Sequence, residues 1–287
     1  MWREILTHDQ DKADVGIFGI AVDENASIEQ GARLAPSFIR EKSEYLPPYT
    51  IDGAEIQARV FDYGDVTSFD YDSVRDKLNV TLKTGFAVVL GGDHSVSILS
   101  QKAYREQSKG KIGLIHIDAH ADICDVYDSS KISHACVNRR ALENGYDPSD
   151  ITMIGIRSYE RQEVEFLSQT PIEIFTSSEV RKQGVEKIVG RLMEKYIDYD
   201  GVYLSFDIDA VDPAYAPGTG TPEAFGLTSL EVLQIITAVI ASLPVRVMDI
   251  VEVSPPLDTN CITVWLALKY LLEVFKIVSE KNKGENT

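Results

Sequence analysis

The chain has 287 residues, of which 44% are hydrophobic and 25% are charged, values typical of a globular protein. This composition excludes a disordered chain, a collagen-like repeat and a disulfide scaffold. Its 45 acidic and 28 basic residues give a net charge of −17. Nucleic acid and anionic membranes are therefore disfavoured as partners, whereas metal ions and cationic substrates are favoured.

The cysteines and the apolar stretches indicate the compartment. Cys124, Cys136 and Cys261 are odd in number and form no Cys-x-x-Cys pair, so we expect reduced thiols. The N-terminal segment has no signal-peptide pattern, and apolar stretches such as 235–245 are too short to span a membrane. The sequence therefore predicts a cytoplasmic protein.

Short β-rich runs alternate with longer helical patterns along nearly the whole chain. The predicted strands are 15–21, 58–61, 86–90, 112–117, 151–156, 172–175, 202–206 and 245–251. The predicted helices are 28–43, 71–84, 97–107, 137–144, 178–196, 229–242 and 259–281. Because buried runs rich in Val and Ile alternate with helices, the pattern predicts an α/β fold with a mainly parallel sheet covered by helices. No repeat or linker divides the chain, so we expect a single domain over 1–287 whose polar tail, 279–287, frays.

Four of the predicted strands are followed at once by carboxylates or histidines. In an open parallel sheet, ligands bind at the carboxyl ends of the strands, so a site is expected where these segments lie. The segments are Gly-Gly-Asp-His-Ser at 91–95, Asp-Ala-His-Ala-Asp at 118–122, Asp-Ile-Asp-Ala-Val-Asp at 207–212 and Glu-Val-Ser-Pro-Pro at 252–256.

The spacing within these segments predicts a metal centre. Side chains two residues apart in an extended chain point to one face, which brings alternate residues of 118–122 and of 207–209 together. The six potential ligands are His94, Asp118, His120, Asp122, Asp207 and Asp209. Four carboxylates in one place repel one another unless cations neutralise them. Oxygen donors with some imidazole suit two divalent ions of the Mn²⁺ class, which lower the pKa of a bound water.

Each segment also has a simpler interpretation when it is taken alone. The run 207–212 would be a turn or a helix cap, and His94 would be a hydrogen-bonded loop histidine. The run 118–122 would fit a structural role and a metal-binding role equally well. Their joint placement at the ends of different strands favours the metal centre. His116 is expected to point away and to be structural, while Asp93 and Asp212 are out of phase and are expected to support or cap the cluster.

These motifs resemble those of the ureohydrolases, the arginase/agmatinase/formimidoylglutamase superfamily, and within it agmatinases most. The resemblance covers 91–95, 118–122, Ser-Phe-Asp-Ile-Asp at 205–209 with Asp-Pro at 212–213, and Val-Glu-Val-Ser-Pro around Glu252. Gly-Ala-Arg at 31–33 and Pro36 extend it toward the start, so the match spans nearly the whole chain. It implies a three-layer α/β/α fold, two Mn²⁺ per subunit and a homo-oligomer, a trimer or hexamer.

The resemblance also implies how the ligands divide and which residues catalyse. One ion would be held by His94, Asp118, Asp122 and Asp207, and the other by Asp118, His120, Asp207 and Asp209. His134 matches the family's proton-shuttling histidine, although Ala135 follows it where many members have Gly. Glu252 matches the acid that pairs with the substrate guanidinium, and Asp122 would orient a metal-bridging hydroxide. The implied products are urea and an amine.

The substrate tail is less determined by the sequence. The stretch 128–133 lacks the Ser-Gly-Asn arrangement of arginases, whereas 154–158 and 216–223 look like the corresponding segments of agmatinases. Agmatine, hydrolysed to putrescine and urea, is therefore the expected substrate, with arginine, guanidinobutyrate and other guanidino acids as alternatives. Formimidoylglutamate is less favoured because that branch typically lacks a match for His134.

Several residues bear on the pocket for that tail. Glu160, Glu223 and Asp125 are candidates to meet a distal ammonium. Phe225 stands where many members have Gly and is expected to alter the pocket floor.

Functions of other classes remain as alternatives. The run 207–211 also fits the Asp-x-Asp pattern of magnesium-dependent phosphatases, but it comes late in the chain and leaves 91–95 and 118–122 unexplained. Zinc deacetylases share a related fold but would use one zinc and need no sixth ligand. A catalytically silent binding protein is disfavoured because all six ligands, His134 and Glu252 are present together.

Overall fold

The centre of the protein, in a computed structural model that describes residues 2–285, is one sheet of eight parallel strands. The strands are β1 (Val15–Ile20), β2 (Val60–Val66), β3 (Ala87–Leu90), β4 (Ile112–Ile117), β5 (Ile151–Ile156), β6 (Glu173–Thr176), β7 (Gly201–Asp207) and β8 (Val245–Val251). Their order across the sheet is β2-β1-β3-β8-β7-β4-β5-β6. The predicted parallel sheet is confirmed, and its inner strands are almost wholly buried, as a sheet covered on both faces requires.

Helices cover both faces of the sheet. They are α1 (Ala35–Ser43), α2 (Tyr71–Thr81), α3 (Val96–Gln107), α4 (Val137–Glu143), α5 (Arg161–Leu167), α6 (Ser177–Gln183), α7 (Val185–Tyr196), α8 (Ser229–Ser242) and α9 (Ile262–Glu285). Side chains alternate along each strand, so Ile17 of β1 belongs to the apolar cluster that includes α1 and α6–α9, whereas Phe18 belongs to the cluster that includes α2–α5. These two apolar clusters confirm the three-layer α/β/α fold.

The structure differs from the predicted helices at several places. Helix α1 begins at Ala35 rather than at residue 28, because Asp23 Oδ2 accepts the backbone N–H groups of Gly31 and Arg33 and holds 24–31 as a loop. The predicted helix 178–196 is two helices, since Gly184 between them has a φ of 86°, which helical residues do not adopt. Helix α5 has seven residues and was not predicted.

The C-terminal end is also more regular than expected. Helix α9 continues to Glu285, so most of the tail expected to fray, 279–285, has helical backbone. Residues 286 and 287 lie outside the described residues. Within the described part of the chain, no helix has both the length and the apolar character needed to cross a membrane. All eight strands share one sheet, and the single-domain organisation stays a prediction.

Candidate active site

The four strands that carry the predicted motifs are neighbours at the middle of the sheet, in the order β3-β8-β7-β4. His94 follows β3, Glu252 follows β8, Asp207 ends β7 and Asp118 follows β4. Since all strands run in one direction, their carboxyl ends bring these side chains to a single edge of the sheet. The expected convergence of the motifs is therefore present.

One group of ligand atoms forms around the His94 imidazole. Its Nδ1 lies 3.0 Å from Asp118 Oδ2, 3.0 Å from Asp122 Oδ2 and 3.2 Å from Asp207 Oδ2. His94 and Asp118 are fully buried, and neither His94 Nδ1 nor Asp118 Oδ2 has a well-aligned hydrogen bond in the described structure. Three carboxylate oxygens and one imidazole nitrogen thus surround a space that a cation would satisfy.

A second group lies beside the first and shares Asp118 with it. His120 Nδ1 is 3.1 Å from Asp209 Oδ2 and 3.6 Å from Asp118 Oδ1. The Thr221 hydroxyl donates to Asp209 Oδ2 over 3.1 Å and fixes that carboxylate. Asp118 therefore turns one oxygen to each group, a geometry suited to bridging two ions. All six predicted ligands belong to one or other group.

The charges of these groups favour bound cations. Burial raises the pKa of Asp207 well above its usual value, and the nearby carboxylates of Asp209 and Asp118 raise it further. Burial by itself lowers the pKa of His94, but the close carboxylates of Asp118, Asp122 and Asp207 outweigh burial and raise it. The cluster thus carries more negative charge than its imidazoles can balance, and two divalent ions would balance it. The donor set fits such ions.

Two residues of the site have strained backbone conformations. Asp122 has a φ of 48° and Glu252 a φ of 60°, in the left-handed region that few non-glycine residues adopt. Hydrogen bonds hold both in place, from Glu252 N to Gly92 O at 2.9 Å and from Asn138 N to Asp122 O at 2.8 Å. A Cβ atom at position 92 would collide with the carbonyl oxygen of Val22, which explains why a glycine is needed there. Strain of this kind concentrates at functional sites.

His134 lies beside Glu252 at the wall of a cavity. Its Nδ1 is 3.3 Å from Glu252 Oε1, and its Nε2 is 2.7 Å from the hydroxyl of Ser27. Burial lowers the pKa of His134, but the Glu252 carboxylate outweighs burial and raises it to about 9. Glu252 is itself buried, and its Oε1 accepts the backbone N–H of His94 at 2.8 Å. One carboxylate thus connects the His94 group to His134.

The cavity, of about 440 Å³, opens above both groups of ligand atoms. His120, Asp122, Asp207 and Asp209 line its floor, and its walls include Ser27, Tyr127, His134, Glu160, Thr221 and Glu223. Among the described lining residues there is no Lys or Arg. A volume of this size accommodates a small organic molecule.

Of the three acids considered for a distal ammonium, two line the cavity. Glu160 is exposed, and Glu223 accepts a hydrogen bond of 2.9 Å from the Ser158 hydroxyl. Asp125 is not among the lining residues and pairs with Arg140 at 2.8 Å. The expectation that Phe225 alters the pocket floor was wrong, since its side chain is 79% exposed and does not line the cavity.

The prediction that His116 points away from the cluster was also wrong, while its structural role stays a prediction. Its ring stacks on that of His94, with centroids 5.1 Å apart and an interplanar angle of 14°, and its Nε2 lies 3.1 Å from Asp118 Oδ2. Residues 116 and 118 are two apart in an extended segment and share a face, so the spacing itself gave the signal. Asp93 is a buried acceptor for the backbone of Asn25 and Ser95. Asp212 accepts the backbone N–H of Ala214 in its own turn and that of Gly226 from the following loop, as expected of a capping group.

Sequence reasoning did not find the two wall residues that come from distant loops. Ser27, in the loop before α1, contacts His134, and the Tyr127 ring meets the His134 ring edge-on with centroids 6.4 Å apart. Neither residue lies in a motif, and only the folded chain brings them to the cavity.

Comparisons with known proteins agree with this geometry. A family model described as "Arginase family" matches residues 13–276. The guanidinobutyrase of Pseudomonas aeruginosa is 33% identical over 281 residues, covering 93% of this chain and 87% of that protein. An agmatinase of Bacillus anthracis is 32% identical over 277 residues, covering 92% of this chain and 91% of that protein. The crystal structure of agmatine ureohydrolase of Thermoplasma volcanium superposes with a TM-score of 0.86 at 33% identity, covering 100% of this chain and 97% of that one.

Proposed function

The chain belongs to the arginase family of ureohydrolases, enzymes that act on guanidino groups, and on that premise we propose that it hydrolyses agmatine to putrescine and urea with two bound Mn²⁺ ions. The observation that carries the proposal is the pair of carboxylate–imidazole groups sharing Asp118 at the floor of a cavity whose charged wall residues are acids and histidines.

The proposed metal centre uses the six ligands found at the strand ends. One ion is held by His94, Asp118, Asp122 and Asp207, and the other by Asp118, His120, Asp207 and Asp209. Hard carboxylate oxygens with one imidazole for each ion suit Mn²⁺ better than metals that prefer thiolates. When bound, the two ions lower the pKa of water and supply hydroxide near neutral pH, which a resonance-stabilised guanidinium requires.

Glu252 holds the planar guanidinium over the floor of the cavity. A carboxylate accepts two parallel N–H groups from such a cation, so it fixes both position and orientation. The bond from the His94 amide and the contact with His134, which lines the cavity, hold this carboxylate between the ligands and the cavity wall. The Glu252 side chain thus links guanidinium binding to the metal centre.

His134 supplies the proton that the departing amine needs. Its pKa of about 9 means that the imidazole carries a proton at neutral pH, as a general acid must. Glu252 stabilises that protonated form, and the Ser27 hydroxyl at Nε2 fixes the ring. Proton transfer from His134 releases the amine and leaves urea.

The charge of the cavity wall favours a cationic tail. Glu160 and Glu223 line it, and none of the described lining residues is Lys or Arg. The ammonium of agmatine is attracted to such a wall, whereas the carboxylate of guanidinobutyrate is repelled. Guanidinobutyrate is the second candidate, because a guanidinobutyrase is among the similar proteins described above.

Urea release from the Mn²⁺-loaded enzyme tests the substrate assignment. Agmatine and guanidinobutyrate share the guanidino group and have tails of similar length, so the pair isolates the effect of tail charge. We expect kcat/KM to be about tenfold or more higher for agmatine, since like-charge contacts cost several kcal/mol. A preference for guanidinobutyrate or arginine would overturn the substrate, and no urea from any guanidine with two ions bound would overturn the reaction.

A further inference from the structure

A carboxylate buried in the middle of the sheet, that of Asp249, is linked to the predicted ligand His94 through the hydroxyl of Ser205. Asp249 is fully buried in β8, among Val, Met and Ile residues. Its oxygens accept hydrogen bonds from the hydroxyls of Ser97 (2.6 Å), Tyr203 (2.7 Å) and Ser205 (2.9 Å) and from the backbone N–H of Phe206 (3.0 Å). A buried carboxylate is costly unless its oxygens are satisfied, and these four donors satisfy both oxygens of Asp249.

Ser205 connects this carboxylate to His94. The Ser205 oxygen lies 2.9 Å from Asp249 Oδ1 and 3.0 Å from His94 Nε2, and all three residues are fully buried. A hydroxyl has a single proton to donate, and the Ser205 hydroxyl donates it to Asp249 Oδ1. Ser205 therefore donates to Asp249 and accepts from His94, which places a proton on His94 Nε2.

This arrangement determines which nitrogen of His94 is free for a cation. A histidine that binds a cation is neutral, and with Nε2 protonated its lone pair is on Nδ1, the atom that lies within 3.2 Å of three carboxylate oxygens. Stacking on His116 restrains the ring plane at the same time. The opposite tautomer would place a proton at the metal site and leave a bare nitrogen facing the hydroxyl.

We propose that Asp249 and Ser205 are positioning residues that fix the tautomer and ring orientation of His94 for metal binding. This rests on the proposed function only in that His94 is taken to bind a cation. Hydrogen-bond partners behind a ligating histidine orient the ring and raise its basicity, and their loss typically weakens metal binding about 10- to 100-fold.

The structure offers matched controls for a test. Ser97, in α3, and Tyr203, in β7, donate to the same carboxylate, and among the described residues neither side chain has a hydrogen bond to the His94 ring. Ser97 meets His94 through backbone atoms alone, from Ser97 N to His94 O at 3.0 Å, a bond that Ser97→Ala keeps. If Asp249 only holds the sheet together, then Ser97→Ala, Tyr203→Phe and Ser205→Ala should behave alike. If it acts through Ser205 on His94, Ser205→Ala should differ from the other two.

The experiment is a calorimetric titration of the metal-free full-length chain and these variants with Mn²⁺, without substrate. We expect Ser205→Ala to bind one of its two ions, the one that His94 would hold, about 10- to 100-fold less tightly than wild type, and the two controls to stay within about threefold of wild type. Wild-type affinity in folded Ser205→Ala, or equal losses in the controls, would overturn the proposal.

A second measurement needs no substitution at Ser205 and covers the case in which that variant does not fold. The chain has five histidines, so ¹⁵N-histidine labelling of the Zn²⁺-loaded, diamagnetic protein gives few ring signals, assigned with single His→Gln variants. We expect His94 to be protonated on Nε2, and protonation on Nδ1 would refute the proposal. Both readouts are independent of urea release, so a protein that binds two ions and releases no urea fails the proposed function alone.

Discussion

Replacing Asp207 by Asn should stabilise the metal-free protein and remove its response to Mn²⁺. Asp207 Oδ1 accepts the Asp209 N–H at 2.8 Å, and its Oδ2 lies 3.2 Å from His94 Nδ1. An asparagine can place its carbonyl oxygen on the first contact and its NH₂ on the second, so it keeps the shape and removes the charge. Neutralising a charge buried among like charges should raise the free energy of unfolding by about 1–4 kcal/mol.

The effect of Asp207→Asn on the free energy of unfolding depends on pH and on bound metal. The pKa of Asp207 is raised in the folded state, so its ionised form destabilises the fold above the ordinary carboxyl pKa. The advantage of Asp207→Asn should therefore grow as the pH rises above the ordinary carboxyl pKa of about 4. At 100 times the dissociation constant, Mn²⁺ should add about 2.7 kcal/mol per site to the wild type, or about 5 kcal/mol for two sites. The variant should lose most of that gain.

Thermal unfolding with and without Mn²⁺ measures both effects, at about 2–4 °C for each kcal/mol. Asp212→Asn is the control, because Asp212 lies in the same loop but only accepts backbone N–H groups. It should keep the full Mn²⁺ shift. A metal-free Asp207→Asn protein that melts below wild type, or one that keeps the Mn²⁺ shift, would refute this account of the cluster.

Three further predictions concern the cavity. His134→Gln should lower kcat/KM for agmatine about 10²- to 10⁴-fold, measured by urea release, while a metal assay still finds two bound Mn²⁺. Loss of metal in this variant would contradict the role of His134 as a proton donor. In the metal-free protein, the raised His134 pKa stabilises the fold below pH 6.5, and this contribution is lost as the pH rises to about 9. The difference in unfolding free energy between wild type and His134→Gln, from denaturant titrations, should shrink across that window, and a constant difference would count against the Glu252 pairing. Glu223→Gln and Glu160→Gln should each lower the agmatine-to-guanidinobutyrate ratio of kcat/KM, whereas the control Asp125→Asn should leave that ratio unchanged. A ratio unchanged in both glutamate variants would reject the proposed contact of these acids with the substrate ammonium.

Much of the fold could be predicted because local patterns determine it. The strand 245–251 and the helix 229–242 were predicted with the bounds that the structure has. The strand is a Val- and Ile-rich run between polar turns, and the helix begins at a capping box formed by Thr228 and Glu231. Apolar periodicity and capping residues are local features of the sequence, so they can be recognised in one sequence alone.

The order of the strands could not be predicted in the same way. Strand β8 inserts between β3 and β7, although it is the last strand in the chain. That placement depends on the packing of both helical layers rather than on any local pattern. The loop 24–31 is a similar case, because Asp23 holds it through Gly31 and Arg33 where helical periodicity favours a helix.

The candidate site was predictable where its members follow strands and unpredictable where they come from distant segments. All six proposed ligands lie in short motifs at strand ends, and the spacing of two within 118–122 and 207–209 was enough to place their side chains on one face. Ser27 is 107 residues from His134, and Asp249 is 44 residues from Ser205, so only the folded chain joins each pair. His116 was mispredicted although its spacing to Asp118 gave the correct face.

The most direct test of the central claim, hydrolysis of a guanidino group by a two-ion centre, is a titration of the metal-free enzyme with Mn²⁺ that follows both bound metal and urea release from agmatine. The account predicts that activity rises with bound metal and reaches its plateau at two ions per chain. A plateau at one ion, activity with a single tightly bound Zn²⁺, or two bound ions without urea would contradict it.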